Sequence, residues 1–446
     1  MRTKPSDEQL KFWRNRCKPD EPITPDDGRY HAGVAGLRGE DHIAPMLDCI
    51  ELADGASCQL FSGYIGTGKS TELLRLRSML EARGYDVLYR SADAYHDLGH
   101  ELEIEALLVL IAGAFGEATG QIVGQDVLKN GYWSRFRKFL DREVTLTTGA
   151  KVSGADLKLE LGHGRPLWLK IKDALASSIG KLQQDAHAFV LQCVEHLRQR
   201  RPDSKGVVFI FDSLERLRGP EDRFRAIMDS ALRVFDQYSD FLRLPNCHTI
   251  YTVPPYLEFL SRATANRYDR PLTVLPSIKV LAPGAEVVAH QPGVDQLVAL
   301  VGKRIEIEQV FGGRIDLLEK LVVHSGGHLK ELLRMLGELL LDARRAGLPP
   351  DESDVDKVLN RFRERARRSI RAEGLPLLEL VRTTSSLDRI GQHDLPLLAH
   401  YMDQLLVLSY ENGERWYQVH PLVRDHIARL AAEVITPSDA TASEPR

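Results

Sequence analysis

The stretch CQLFSGYIGTGKST, residues 58–71, decides the fold. Cys58 to Ser62 is a short apolar run of buried-strand type that stops at a glycine. Gly63 to Ser70 then fits G-x-x-x-x-G-K-[ST] without a mismatch, and a helix is predicted over Thr71–Arg83. The glycines let successive backbone N–H groups curl around phosphate oxygens without a side-chain clash. The helix that follows turns its positive end toward the same charge. Lys69 is placed to reach the β- and γ-phosphates, and the Ser70 hydroxyl to ligate magnesium. Gly63, Gly66, Thr67, Gly68, Lys69, Ser70 and Thr71 are therefore the first nucleotide-binding candidates, with ATP or ADP and Mg2+ as the expected ligands. Gly84 closes the helix and Asp86–Arg90 reads as the next strand. Strand, turn, helix and strand in that order are the βαβ signature of a parallel sheet.

Working outward, residues 101–118 and 168–200 show helical apolar spacing, and two alternating runs between them suggest an inserted hairpin at about 143–163. Gly206–Phe211 is a nearly unbroken apolar run, as a central strand covered on both faces requires. Thr249–Val253, ended by Pro254 and Pro255, and Ser277–Leu281 are further strands. From about residue 293 only helices are expected: Val294–Glu308, Ile315–His324, Leu329–Ala346 and Asp354–Glu373. Near the C-terminus Asn412-Gly413 joins Leu405–Tyr410 to Arg415–Val419, a strong hairpin signal, and helices followed by a hairpin predict a winged helix. The expected class is α/β, a P-loop NTPase parallel-sheet core with a helical lid and a C-terminal winged-helix domain. Its divisions are a loosely docked arm (1–30), the core (31–285), the lid (286–350), a basic helix with the winged helix (351–435) and a disordered tail (436–446).

Composition narrows the function classes. In a chain of 446 residues, 59 Lys and Arg stand against 63 Asp and Glu, a formal net charge of −4. That excludes a basic nucleic-acid coat, so any nucleic-acid surface must be local. The 5 cysteines are scattered and never form a CxxC pair, which argues against a disulfide framework or zinc site and fits a reducing cytoplasm. The N-terminus has no apolar signal core, and the longest apolar stretch, Ala106–Gly116, is too short to span a bilayer. A cytoplasmic protein without membrane contact is expected.

Asp212 ends the Val207–Phe211 run, where a carboxylate at the strand tip can hold the magnesium–water shell. Glu215, three residues on, is placed to polarise a water for attack on the γ-phosphate; the alternative is an ordinary solvated helix residue. About 140 residues separate the two motifs, which leaves room for intervening strands and points to the additional-strand P-loop ATPases. Thr252, near a strand end, either reads the γ-phosphate or is a buried β-former. Arg262, Arg267 and Arg270 are candidates for an arginine finger supplied to a neighbouring subunit. Lys330 and Arg334, on the helix opened by Gly326-Gly327-His328, either contact phosphates or are solvated charges.

These features together resemble the AAA+-related STAND ATPases, the signal-transduction switches that include the NB-ARC and NACHT proteins. The resemblance rests on the phosphate loop, Asp212 with Glu215, Thr252, the glycine-led helix at Gly326-Gly327 and the C-terminal winged helix. Trp416 to Asp425 looks like the family's histidine motif, which implies that His420 touches the β-phosphate of bound ADP and locks the resting state. The implied function is an ATP-hydrolysing switch. The expected partners are an effector such as a nuclease, in a bacterial defence or stress-signalling system, and further copies of the chain.

The competing class is a DNA-binding ATPase resembling origin-recognition initiators. Its support is the run Lys357, Arg361, Arg363, Arg365, Arg367, Arg368 and Arg371 against one acid, Glu364. Against it, those arginines spread around a helix, and the recognition segment Gln392–Gln404 carries no Lys or Arg.

Overall fold

Runs of β-branched and aromatic residues pair into a five-stranded parallel sheet in the computed structural model, which describes residues 2–94, 99–124, 178–217, 221–260, 266–284 and 286–435, together with Ser134 and Lys138. The expected hairpin at 143–163, residues 168–177, Arg262 and the tail 436–446 lie outside the described residues. The strands are β1 (Cys58–Gly63), β2 (Asp86–Ser91), β3 (Val207–Asp212), β4 (Cys247–Val253) and β5 (Thr273–Leu275), in the order β2-β3-β4-β1-β5. β4 lies between the phosphate-loop strand β1 and the acidic strand β3, so it is the additional strand that the motif spacing anticipated. β1 and β3 are buried along their whole length, which is why both read as apolar runs rather than alternating ones.

The chain packs as two units. The sheet unit comprises His42–Gly63 and Lys69–Leu275; the helical unit comprises Met1–Asp41, Tyr64–Gly68 and Pro276–Arg446. In chain order α1 (Asp7–Arg16) belongs to the helical unit. α2 (Ala44–Glu51), α3 (Lys69–Ala82), α4 (Ile104–Val123), α5 (Ile179–Arg200) and α6 (Glu221–Leu232) belong to the sheet unit. One core of the sheet unit joins Met46 and Leu47 of α2 and Leu73, Leu76 and Leu80 of α3 to Phe61, Val208, Ile210 and Ile250 of the strands. α4 packs on α5, with the Phe115 ring 5.2 Å from that of Phe209 on β3. The 20 residues of α4 are long and apolar enough to cross a bilayer, a longer segment than Ala106–Gly116, but most of the helix is buried inside this unit.

The helical unit continues with α7 (Gln291–Gly302), α8 (Ile307–Phe311), α9 (Ile315–His324), α10 (Leu329–Ala346), α11 (Glu352–Arg367), α12 (Leu375–Thr384) and α13 (Leu395–Asp403). It ends in the hairpin β6 (Val407–Asn412) and β7 (Glu414–Val419), followed by α14 (Arg424–Ile435). In α10, Leu332, Leu336, Leu339, Leu340 and Ala343 recur at helical spacing and face the core of the unit. Gly413 at the hairpin tip has φ +80°, the left-handed backbone that an Asn-Gly turn supplies. Two helices, the hairpin and a closing helix form the winged helix.

Three expectations change. Residues 1–30 are not a loosely docked arm throughout: Leu10, Trp13 and Cys17 recur at helical spacing and are buried in the core of the helical unit, and Trp13 Nε1 donates to Glu306. The charged residues between them hid that narrow stripe from a composition-based reading. The expected strand Ser277–Leu281 is not part of the sheet; β5 precedes it and ends before Pro276, which cannot donate to a ladder. Its backbone donors go to separate partners instead: Ser277 N–H to Ser409 O, Ile278 N–H to Gly327 O and Lys279 N–H to Leu37 O. Finally, the helix expected over Val294–Glu308 is divided into α7 and α8.

Candidate nucleotide-binding site

The carboxyl ends of β1, β3 and β4 lie side by side, the edge of a parallel sheet where ligands are usually taken. Gly63, Gly66 and Gly68 have φ of +147°, +97° and +102°, so the loop follows a course that only glycine adopts without strain. Lys69 opens α3, and its ammonium donates to Gly63 O at 2.8 Å and lies 3.1 Å from Glu215 Oε1. Burial pulls the Lys69 pKa down, opposed by the charges of Glu215 and Asp212. Glu215 is brought there by a tight turn over Leu214–Arg216, entered through Ser213 at φ +74°. A serine in that conformation is a strained residue, placed directly after the acidic strand. Glu215 Oε2 is buried and has no hydrogen-bond partner among the described residues.

Asp212 is 1% exposed. Its Oδ2 accepts from the Tyr89 hydroxyl at 2.5 Å, its Oδ1 from Ser213 N–H at 2.7 Å, and it also bonds the Ser70 hydroxyl. Burial first, then the charge of Glu215, raises the Asp212 pKa against those hydrogen bonds. A serine hydroxyl beside a carboxylate is the hard-oxygen pair that Mg2+ takes along with phosphate oxygens, so Ser70 and Asp212 fit that ion. Thr252 is fully buried, and its Oγ1 accepts from Leu214 N–H at 3.0 Å. Its side chain thus supports the turn that carries Glu215. Arg267 lies 2.5 Å from Asp236. Sequence reasoning missed Tyr89 because its meeting with Asp212 depends on the β2–β3 register, which sets Ser91 opposite Asp212.

In the helical unit, Tyr64–Gly68 forms a turn in which Thr67 N–H and Oγ1 both donate to Tyr64 O, at 3.2 and 2.9 Å. His328 Nε2 donates to Ile65 O at 2.9 Å, Lys330 N–H to Gly66 O at 3.2 Å, and the Arg38 guanidinium to Thr67 O at 2.5 Å. The Lys330 ammonium pairs with Asp20, and Arg334 is exposed. His420 is 2% exposed, with Nε2 2.8 Å from Glu331 Oε2 and Nδ1 accepting from Leu422 N–H at 3.2 Å. That second bond sets the proton on Nε2, facing the carboxylate. Burial pushes the Glu331 pKa up, but the His420 ring and neighbouring charges bring it below the ordinary carboxylate value.

Some of the cations of the basic helix are paired within the helical unit. On α11, Arg361 binds Asp342 at 2.6 Å, Arg367 binds Glu364 at 2.7 Å, and Arg365 lies over the Phe362 ring. α13 carries no Lys or Arg.

The fold is an α/β P-loop NTPase core in a chain that also carries a C-terminal winged helix. No family model and no curated protein matches the sequence. Among solved structures the chain is similar to Cdc6p from Pyrobaculum aerophilum, at 12% identity and TM-score 0.39, covering 95% of this chain and 98% of that one. It is also similar to the Aeropyrum pernix ORC1 protein in complex with DNA, at 13% identity and TM-score 0.37, covering 94% and 98%. The ADP form of the Aeropyrum pernix ORC2 protein matches at 13% identity and TM-score 0.39, covering 95% and 99%. Likeness of this degree transfers neither a site nor an activity, which must be argued from the residues themselves.

Proposed function

We propose that this protein binds and hydrolyses ATP and uses the nucleotide state to switch conformation. The observation that carries the reading is the buried Lys69–Glu215 pair at the end of a glycine turn held in left-handed backbone. Lys69 is the loop's cation for phosphate. Glu215, with one buried oxygen free of hydrogen bonds among the described residues, is the base that orients the attacking water. Ser70 and Asp212 would hold Mg2+, which when bound supplies charge neutralisation at the phosphates. Tyr89 orients Asp212, and Thr252 holds the Glu215 turn. The test is nucleotide titration and phosphate release by the purified chain. Lys69→Ala should abolish both, and unchanged turnover in that variant would refute the assignment.

The switch reading, of STAND type, is supported by the hydrogen bonds from His328, Lys330 and Arg38 to the loop, which link its conformation to the start of α10 within the helical unit. A switch also requires the two nucleotides to differ in affinity for its two states. The pairing of Arg361 with Asp342 and of Arg367 with Glu364, and the lack of Lys and Arg on α13, favour a protein partner over duplex DNA as the output. Binding to duplex DNA across a salt series separates the two. Steep loss of affinity with salt would favour the initiator-like alternative.

A further inference from the structure

We propose that His328 is a positioning residue for the phosphate loop, a second role for the residue that caps α10. The inference rests on the nucleotide-binding reading and deepens it.

His328 is 1% exposed, and its ring makes two opposed bonds. Nδ1 accepts from Glu331 N–H at 3.3 Å, which satisfies an open donor in the first turn of α10. That bond leaves the ring proton on Nε2, which donates to Ile65 O at 2.9 Å. Serine, asparagine or aspartate could cap the helix equally well, but all are too short to donate across to the loop as well. A neutral imidazole has an acceptor and a donor on opposite edges and does both.

The bond matters because of peptide planarity. In a trans peptide the C=O of one residue and the N–H of the next point in opposite directions. Holding Ile65 O therefore sets the Gly66 N–H, and the Arg38 contact on Thr67 O sets the Gly68 N–H in the same way. The intervening Thr67 N–H closes the turn on Tyr64 O. Gly66 and Gly68 are left as the loop amides whose direction is fixed from behind. The fit at Gly66 is close: a Cβ there would stand 2.5 Å from Lys330 Cβ and 2.8 Å from His328 Cε1. Amides oriented before phosphate arrives need no ordering when it binds.

The test compares two variants of the full chain. His328→Asn keeps a good helix cap but loses the donor to Ile65. Its unfolding midpoint without nucleotide should stay near that of the parent, while its Kd for ADP and ATP rises roughly tenfold. His328→Gln should do the reverse, weakening the cap while its longer amide restores part of the affinity. Amide hydrogen exchange over residues 65–68 without nucleotide should rise in His328→Asn and be unchanged in α3. Parent-like affinity in His328→Asn, equal loss in both variants, or unchanged exchange at 65–68 would each overturn the role. Should the parent bind no nucleotide, the ATPase reading fails, and the exchange measurement still decides whether His328 orders the loop.

Discussion

Lys69 Nζ stands 3.1 Å from Glu215 Oε1, and both side chains are nearly inaccessible, 2% and 4% exposed. The ammonium and the carboxylate thus face each other as a buried ion pair. On the proposed reading, a phosphate that draws Lys69 away would release Glu215, so the base would be freed by the ligand it acts on. Such coupling would suit the proposed switch, because hydrolytic competence would then follow occupancy.

Glu215→Gln should lower phosphate release by about 100-fold or more, the usual contribution of a general base. Its amide no longer holds Lys69 by charge, so ATP affinity should be retained or increased. Phosphate release together with a fluorescent-nucleotide titration checks both, and parent-like turnover would remove Glu215 from the mechanism.

Tyr89→Phe removes the hydroxyl that orients Asp212 and leaves the ring in place. The Mg2+ concentration giving half-maximal turnover should rise several-fold, with little change in Mg2+-free ADP binding. A magnesium titration showing no shift would make the Tyr89–Asp212 bond purely architectural.

Thr252→Val is nearly isosteric but leaves Leu214 N–H buried without its acceptor, at a cost of about 1–3 kcal/mol. Urea unfolding should show the loss. Turnover should fall more than ATP affinity, because the turn carrying Glu215 is loosened. Equal losses in both would point instead to direct phosphate contact by Thr252.

Glu331→Gln tests the pair with His420 through pH. The folded carboxyl titrates below its ordinary value of 4.5, so it contributes stability above that pH and loses it as pH falls through the folded value. The variant should be less stable than the parent at neutral pH, and the gap should narrow as pH falls below the ordinary carboxylate range. A gap independent of pH would mean that packing, not charge, accounts for the difference.

Trp13→Ala removes the largest side chain that α1 buries, and unfolding free energy should fall by about 3–5 kcal/mol. A change of a few tenths would restore the reading of this segment as a loosely docked arm.

Much of the sheet was legible because its signals are local. Val207–Phe211 is apolar on both faces, and the strand is β3; Asn412-Gly413 carries the turn chemistry of the hairpin, and β6 and β7 form around it. The misreadings have the same physical origin. Ser277–Leu281 looks like a strand by composition, but its donors are taken by Ser409, Gly327 and Leu37, all far away in sequence. Among the candidate site residues, Lys69 and Ser70 stand out through motif spacing and Asp212 through the strand it ends. Tyr89, Arg38 and the loop-facing role of His328 carry no local mark.

The sequence by itself determined that a glycine turn sits between a buried strand and a helix, because backbone freedom at Gly63, Gly66 and Gly68 and the periodicity on either side are properties of neighbouring residues. Only the tertiary structure decided which groups meet: Glu215 with Lys69, Tyr89 with Asp212, His420 with Glu331, and His328 with Ile65. Those meetings depend on strand order, register and helix packing, which arise from burying surface across the whole chain and leave no pattern at any single position.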